Sequence, residues 1–523
     1  MSFRVMTILE YILIIFAVVF LYSPRAFACA SANIPLDSPL YGDIETLAAC
    51  RLIESHLLST RPFTRAEAGR LLAEAIKKGE TMEIPSTVGK LLNRIAKEYK
   101  EEISEAEMEG TTPSTYLKPV DEFSINYNFL DGPFSIYNNE GIDYFDGSNT
   151  MVEFQSRARL WNIFSFYAQP IFLYNQRYKG IDGNDETKFR LHKGYLKFTR
   201  DNFEIEAGRD SLWWGPGYHG SLLVSNNAKP FDMIKISNPR ATLLPWILSY
   251  LGPFRFNLLF SRLDDDEHNI TDKSTGDDLS KPYLYGLRFD FKPHPLVEVG
   301  LSHLVLFGGE GRDISFTDFL KIAYSNKNRD GTELDSNQQV AIDLALTIPN
   351  VSRLVSLADS IKLYGELGAE DTGKPPDRRA YLAGIALNDA FMVKGMKLRA
   401  EYANLSPGSV PTAWYSHGSY PMTYSGRVFG HHAGTDSDDL FIELSQTLEN
   451  RFSYKIGFDK ERNGISQSNT QEKYQYFLET GYDIAEWLDL SVSYSYEEIS
   501  NYENLKDNEQ KNHFMGIELK CEF

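Results

Sequence analysis

The chain has 523 residues, with 53 Lys and Arg against 72 Asp and Glu, a formal net charge of −19 and a pI near 5.1. That acidity has the wrong sign for nucleic acid, which selects basic patches, and three cysteines are too few for a disulfide framework. Mean hydropathy is −0.34 and there is a single long apolar run, at the start, which excludes a membrane protein built of helical spans.

That run, Ile8 to Leu21, follows Arg4 and is interrupted by Glu10; the small-residue sites Ala26-Phe27-Ala28 and Ala28-Cys29-Ala30 come after it. Residues 1–30 therefore read as a secretory signal peptide. With no further apolar span, an exported protein held in a membrane must cross it with strands. From 33 to 110 the periodicity is helical. Leu47, Leu52, Ile53, Leu57 and Leu58 mark a first amphipathic segment, and the box Thr64 to Glu67 opens a second, through Leu71, Leu72 and Ile76 to a stop at Gly79. Pro85-Ser86 begins a third, carrying Val88, Leu91, Leu92, Ile95, Tyr99 and Ile103. These predict a small bundle of three helices, closed by a linker at 110–115.

From 117 to 523 the period becomes two. Phe123, Ile125, Tyr127 and Phe129 alternate with polar residues; so do Val152 to Leu160, Phe254 to Phe260, Tyr285 to Phe291, Phe452 to Phe458 and Leu488 to Tyr496. A spanning strand shows lipid on one face and a polar lumen on the other. Connections also sort: short ones follow Leu160, Arg200, Phe291 and Leu448, whereas long polar ones occupy 131–149, 175–187, 264–281, 308–337, 404–438 and 497–512. The final strand alternates Met515, Ile517, Leu519, Cys521 and Phe523 with Gly516, Glu518, Lys520 and Glu522, and ends on an aromatic. The fold class expected is an all-β transmembrane barrel of roughly 18 antiparallel strands, with long loops extracellular.

Catalytic signatures such as H-E-x-x-H and G-x-S-x-G are missing from the sequence. Gly368 to Lys374 resembles a phosphate loop until Pro375, which with Pro376 forbids the following helix. The densest stretch is GRDSLWWGPGYHGSLLVSNNAKPF, beginning at Gly208. Its indoles Trp213 and Trp214, beside Arg209, Asp210, Tyr218 and His219, offer flat aromatic faces with hydrogen-bonding partners, the combination that suits sugar rings. The same stretch would serve equally as an inward-folded loop stiffening the barrel. A second aromatic loop, 404–438, adds Trp414, Tyr415, Arg427 and His431. His431-His432, lacking placed carboxylates, read as solvated, with no metal expected. The acidic runs 264–267 and 436–439 read as solvated loop tips.

On NIPLDSPLYGDIETLAA, RPFTRAEAGRLLAEA, the WWGPG…LLVSNNA segment and EYAN leading into YSHGSYPMTYSGRVFGHHAGTDSDDL, the chain resembles the Wzi-type capsule assembly family of outer-membrane proteins. The resemblance implies an outer-membrane barrel with a periplasmic helical bundle that acts, lectin-like, in anchoring or organising capsular or extracellular polysaccharide; it does not imply an enzyme, and no cofactor is expected. Its partners would be the polymer, outer-membrane lipid and the barrel-insertion machinery. A porin or polysaccharide export channel is the alternative; an enzyme using inward carboxylates such as Glu401 and Glu443 is a weaker third reading.

Overall fold

The computed structural model describes residues 28–82, 84–107, 115–177, 186–264, 270–271, 276, 278–324, 334–370, 379–408, 410–448 and 451–523. The expected signal segment through residue 27, the linker at 110–114, the acidic run beyond Asp264 and the loop at 371–378 lie outside them.

The helical region holds α1 (Leu40–Ala49), α2 (Arg65–Gly79), α3 (Ser86–Glu98) and α4 (Lys100–Glu107). Thr64 Oγ1 accepts from Glu67 N at 3.1 Å, so the cap read from the sequence starts α2, which stops at Gly79 as expected. The expected third helix is two. Tyr99 leaves helical geometry because its ring is drawn into the core, 2% exposed, with the Arg65 guanidinium 4.5 Å above it. Ile34, Ile44, Leu47, Leu52, Leu71, Leu72 and Ile95 fill the space between the helices. Gly69 lets α2 and α4 touch; a Cβ there would lie 2.5 Å from the Glu102 carbonyl.

Eighteen antiparallel strands close a barrel. They are β1 (Tyr116–Asp131), β2 (Gly147–Leu160), β3 (Phe164–Arg177), β4 (Glu186–Arg200), β5 (Phe203–Asp210), β6 (Phe231–Ser237), β7 (Pro253–Arg262), β8 (Tyr283–His294) and β9 (Val297–Phe307). Then come β10 (Ser336–Ile348), β11 (Ser360–Glu370), β12 (Arg379–Asn388), β13 (Met396–Asn404), β14 (Ser437–Thr447), β15 (Phe452–Asn463), β16 (Gln471–Ala485), β17 (Leu488–Ser500) and β18 (Gln510–Glu522). Closure is between β1 and β18, with Phe123 opposite Cys521, Ile125 opposite Leu519 and Tyr127 opposite Ile517. Those side chains face outward; Ser124, Glu518 and Lys520 alternate inward, and Lys520 pairs with Glu122 at 2.6 Å. Among the described residues no helix is long and apolar enough to cross a membrane.

The described parts of the long connections expected from the sequence lie at the barrel end opposite the short turns after Leu160, Arg200, Phe291 and Leu448. The turns at the helical end carry Trp161, Trp246, Ile247, Tyr250, Leu354, Phe391 and Trp487, all exposed, an apolar collar suited to a membrane interface. One expectation is corrected within the connection 308–335: it contains α5 (Phe316–Tyr324), which covers Tyr285, Val305 and Phe307 on the outer face of β8 and β9. Its Phe319, Ile322 and Ala323 make one apolar face, which the surrounding polar residues obscure in sequence.

The helical region is seated in the barrel mouth through charges. Leu58 N and Ser59 N donate to Glu298 at 3.1 and 2.7 Å, Arg255 donates to the carbonyls of Leu57 and Thr60, and Thr60 Oγ1 donates to Asp290. Asn33 bridges Glu206 and Asp210, and Glu45 meets Lys362 at 2.6 Å and Arg399 at 2.8 Å. Inward charges removed from water require such partners. Burial opposes ionisation of Glu45, but Arg399 and Lys362 prevail and hold its carboxyl well below the usual range.

Candidate functional site

The segment 211–230, between β5 and β6, turns into the lumen instead of standing above it. Two carboxylates on the wall receive it. Glu366 of β11 accepts from Gly217 N at 3.3 Å, Leu222 N at 2.9 Å and Ser221 Oγ at 3.3 Å. Glu401 of β13 accepts from three consecutive main-chain donors, Tyr218, His219 and Gly220, at 2.7, 3.0 and 3.1 Å, and from Tyr364 Oη at 2.8 Å. Gly215 has φ +141°, and a Cβ there would strike the Glu366 carboxylate, so this turn accepts only glycine. Tyr218 donates to Glu443 and lies under the Arg399 guanidinium, 3.9 Å from the ring centre. Below, Trp213 and Trp214 pair as a two-residue ladder with Arg61 and Thr60, joining this loop to the helical region.

The second aromatic loop, 405–436, packs on the first. Tyr415 N donates to Glu370 at 2.8 Å, Tyr415 Oη to Leu222 O at 2.5 Å, and His431 N to Tyr415 Oη at 2.8 Å. Trp214 and Trp414 sit in notches left by Gly286 and Gly368 in the wall. With Leu222, Val224, Phe231, Tyr420, Tyr424 and Phe429 they form an apolar core inside the barrel. A third loop, 132–146, closes over both: Asn138 Nδ2 donates to His219 O at 2.7 Å, and Arg427 reaches the carbonyls of Ile136 and Ile142 and the side chains of Asn139 and Asp143.

The candidate residues thus divide. Trp213, Trp214, Trp414, Tyr415 and His431 are at most 5% exposed and form the packed floor. Asp210 is buried against Asn33, whereas its neighbour Arg209 points outward to Asp232 at 2.6 Å; strand alternation separates two residues that adjacency in sequence had grouped. Tyr218 is committed to the loop's own suspension through its main chain and hydroxyl, His219 through its main chain only. Arg427 lies at the outer end, half-buried, beside exposed Asp143 and half-buried Tyr144 and Phe145. The sequence reading had no basis for choosing Glu366 and Glu370; inward alternation on β11 is the signal that carries them. Glu401 and Glu443, weighed as a hydrolytic pair, are occupied in holding Tyr218, His219 and Gly220.

Two solvated readings are also corrected. The His431 and His432 side chains are 1% and 3% exposed, and β14 and β15 place Asp439, Asp459 and Glu461 around them. Burial, followed by the neighbouring His432 and His219 imidazoles, depresses the His431 pKa well below the ordinary histidine range. The acidic run 436–439 is no loop tip: Asp436 accepts from Ser406 and Ser466, Asp438 pairs with Arg462, and Asp439 is 2% exposed.

These features define an outer-membrane β-barrel whose interior is packed by its own loops. The sequence pattern of the family described as capsule assembly protein Wzi matches residues 130–514, and the chain belongs to that family. It is 27% identical over 195 residues to an uncharacterised 55.8 kDa protein in the cps region of Klebsiella pneumoniae; the match covers 37% of this chain and 35% of that protein, about a third of the relative's length. Its fold resembles that of Escherichia coli Wzi, described as a carbohydrate-binding β-barrel of the outer membrane involved in group 1 capsule assembly. The TM-score is 0.71 at 17% identity, covering 94% of this chain and all of that one.

Proposed function

We propose that this protein binds capsular or extracellular polysaccharide and anchors or organises it at the cell surface, with the helical region in the periplasm and the long loops outside. The observation that carries this reading is the filled lumen in a member of a capsule assembly family: two loops share one apolar core and a third is hydrogen-bonded across them, which makes the barrel a rigid pedestal for a surface. A passage for solutes or polymer would need that core to be absent or to move as a unit. The polymer-facing surface is the outer rim of the loops, where half-buried Phe145 and Arg427 offer a ring and a cation beside exposed Asp143. Rings that stack on C–H faces and flanking groups that meet hydroxyls or acidic sugars give modest affinity per site, multiplied along a repeating polymer. The buried indoles support that rim from below. Binding alone accounts for this arrangement, and no catalytic step is assigned.

The test is deletion of the gene, followed by measurement of cell-bound and shed polysaccharide. Loss of bound polymer, restored by the full-length chain, is expected; equal retention in both strains refutes the anchoring role. Large, steady conductance from the purified barrel in planar bilayers would instead favour a channel.

A further inference from the structure

The suspension of the loops leaves one cluster unexplained, where both inward loops meet β14 and β15. We infer that His219, His432, Asp439 and Asp459 form a site for one divalent transition-metal ion of the zinc class. One ligand atom from each residue can be chosen such that all four lie within 4.8 Å of one another. His219 Nε2 is 3.5 Å from Asp439 Oδ2 and 3.5 Å from Asp459 Oδ2, and His432 Nε2 is 3.1 Å from Asp439 Oδ2. Bonds of about 2.0–2.1 Å in a tetrahedral site require neighbouring donors about 3.3 Å apart, which these gaps bracket. Two imidazoles with two carboxylates are a donor set that suits zinc.

Three further observations support a cation at this place. His219 Nε2, both ring nitrogens of His432 and both carboxylate oxygens of Asp439 are buried without a hydrogen-bond partner, a costly state for so many polar atoms in one place. Among the described residues Asp439, Asp459 and Glu461 gather here with Lys473, which is engaged by Glu461 at 2.6 Å, so Asp439 and Asp459 are left for a dication to pair. The surrounding groups are already oriented. Tyr137 Oη donates to Asp459 Oδ2 at 3.0 Å, which fixes that carboxylate, and the Tyr137 ring stacks on His432 with centroids 3.9 Å apart. His219 comes from the loop 211–230, His432 from the loop 405–436 and the carboxylates from the wall, so the ion would pin both loops to the barrel. This site stands independently of whether those loops bind polysaccharide.

Purified full-length protein, stripped with EDTA, is titrated with zinc against a chromophoric chelator, and separately loaded with cobalt(II). One saturable equivalent of zinc and the visible bands of four-coordinate cobalt are expected. His432→Ala and Asp439→Asn should each weaken zinc binding by at least about a hundredfold, while His417→Ala, on the same loop, leaves it unchanged. No saturable zinc binding by the native sequence overturns the proposal, as does binding that survives both substitutions. Should either variant misfold, the cobalt spectrum of the native sequence decides: bands of six-coordinate cobalt, or none, overturn it.

Discussion

Replacing Glu401 with Leu should release the loop at 211–230 while the barrel stays closed. The side chain receives three main-chain donors and one phenol, at 2.7 to 3.1 Å. A buried donor left without a partner costs about 1–3 kcal/mol, so three amides would cost roughly 3–9 kcal/mol if the loop stayed in place. Opening the loop to rehydrate them is the cheaper outcome, limited by the Glu366 contacts that remain. A local loss of even about 3 kcal/mol corresponds to roughly a hundredfold faster exchange of amide hydrogens through local opening. Hydrogen–deuterium exchange with peptide resolution should show that acceleration at 217–222, with β14 to β18 unchanged. Glu479→Gln, which removes only an exposed pair with Lys455, serves as the control and should change stability by less than about 1 kcal/mol. Unchanged exchange at 218–220 in a folded Glu401→Leu barrel would refute the suspension described for this loop.

Other outcomes follow from the same contacts. Glu45→Ala strands Lys362 and Arg399, both nearly buried, and should destabilise the seat of the helical region by about 3–5 kcal/mol, read as faster proteolysis before residue 116 with the barrel fragment intact. His56 accepts from Lys292 at 3.1 Å; burial first, then that ammonium, lower its pKa from 6.5 to about 3. The unfolded chain therefore binds the proton first, so stability falls as pH drops from about 6.5 toward 3, by about 1.4 kcal/mol per unit. His56→Gln should flatten the slope of melting temperature between pH 6.5 and 5; an unaltered slope contradicts this assignment. Trp213→Ala with Trp214→Ala creates cavities costing about 3–5 kcal/mol each, confined to the loop core. Polysaccharide retention should fall with membrane insertion preserved, and loss of the folded barrel in gel mobility would show that the indoles serve folding alone.

The barrel was legible because its cause is local: each strand has to present a fatty face to lipid, and period two records that residue by residue. Phe123 to Phe129 and Met515 to Cys521 could be read as facing lipid before their pairing was known, and they prove to be the two strands that close the sheet. The capping of α2 at Thr64 was legible for the same reason. The break at Tyr99 was not, since it depends on a ring seeking a core made by distant residues, and neither was α5, whose apolar face needs β8 and β9 beneath it. The site was the least legible. Trp213 and Trp214 signal a special loop whether it faces water or the lumen, and only the wall decides, through Glu366, Glu401 and the gaps at Gly286 and Gly368. His432, Asp439 and Asp459 meet because β14 and β15 place Asp439 opposite Glu461 and Phe441 opposite Asp459, a register that no spacing in the chain announces.

The most direct test of the central claim is a binding titration. Polysaccharide shed by the deletion strain is titrated against the purified protein in lipid nanodiscs, with an Arg427→Ala barrel alongside. Saturable binding by the native protein, weakened several-fold in the variant while the barrel itself stays non-conducting, is the predicted result. A folded native barrel that binds no polymer and conducts steadily would contradict the account.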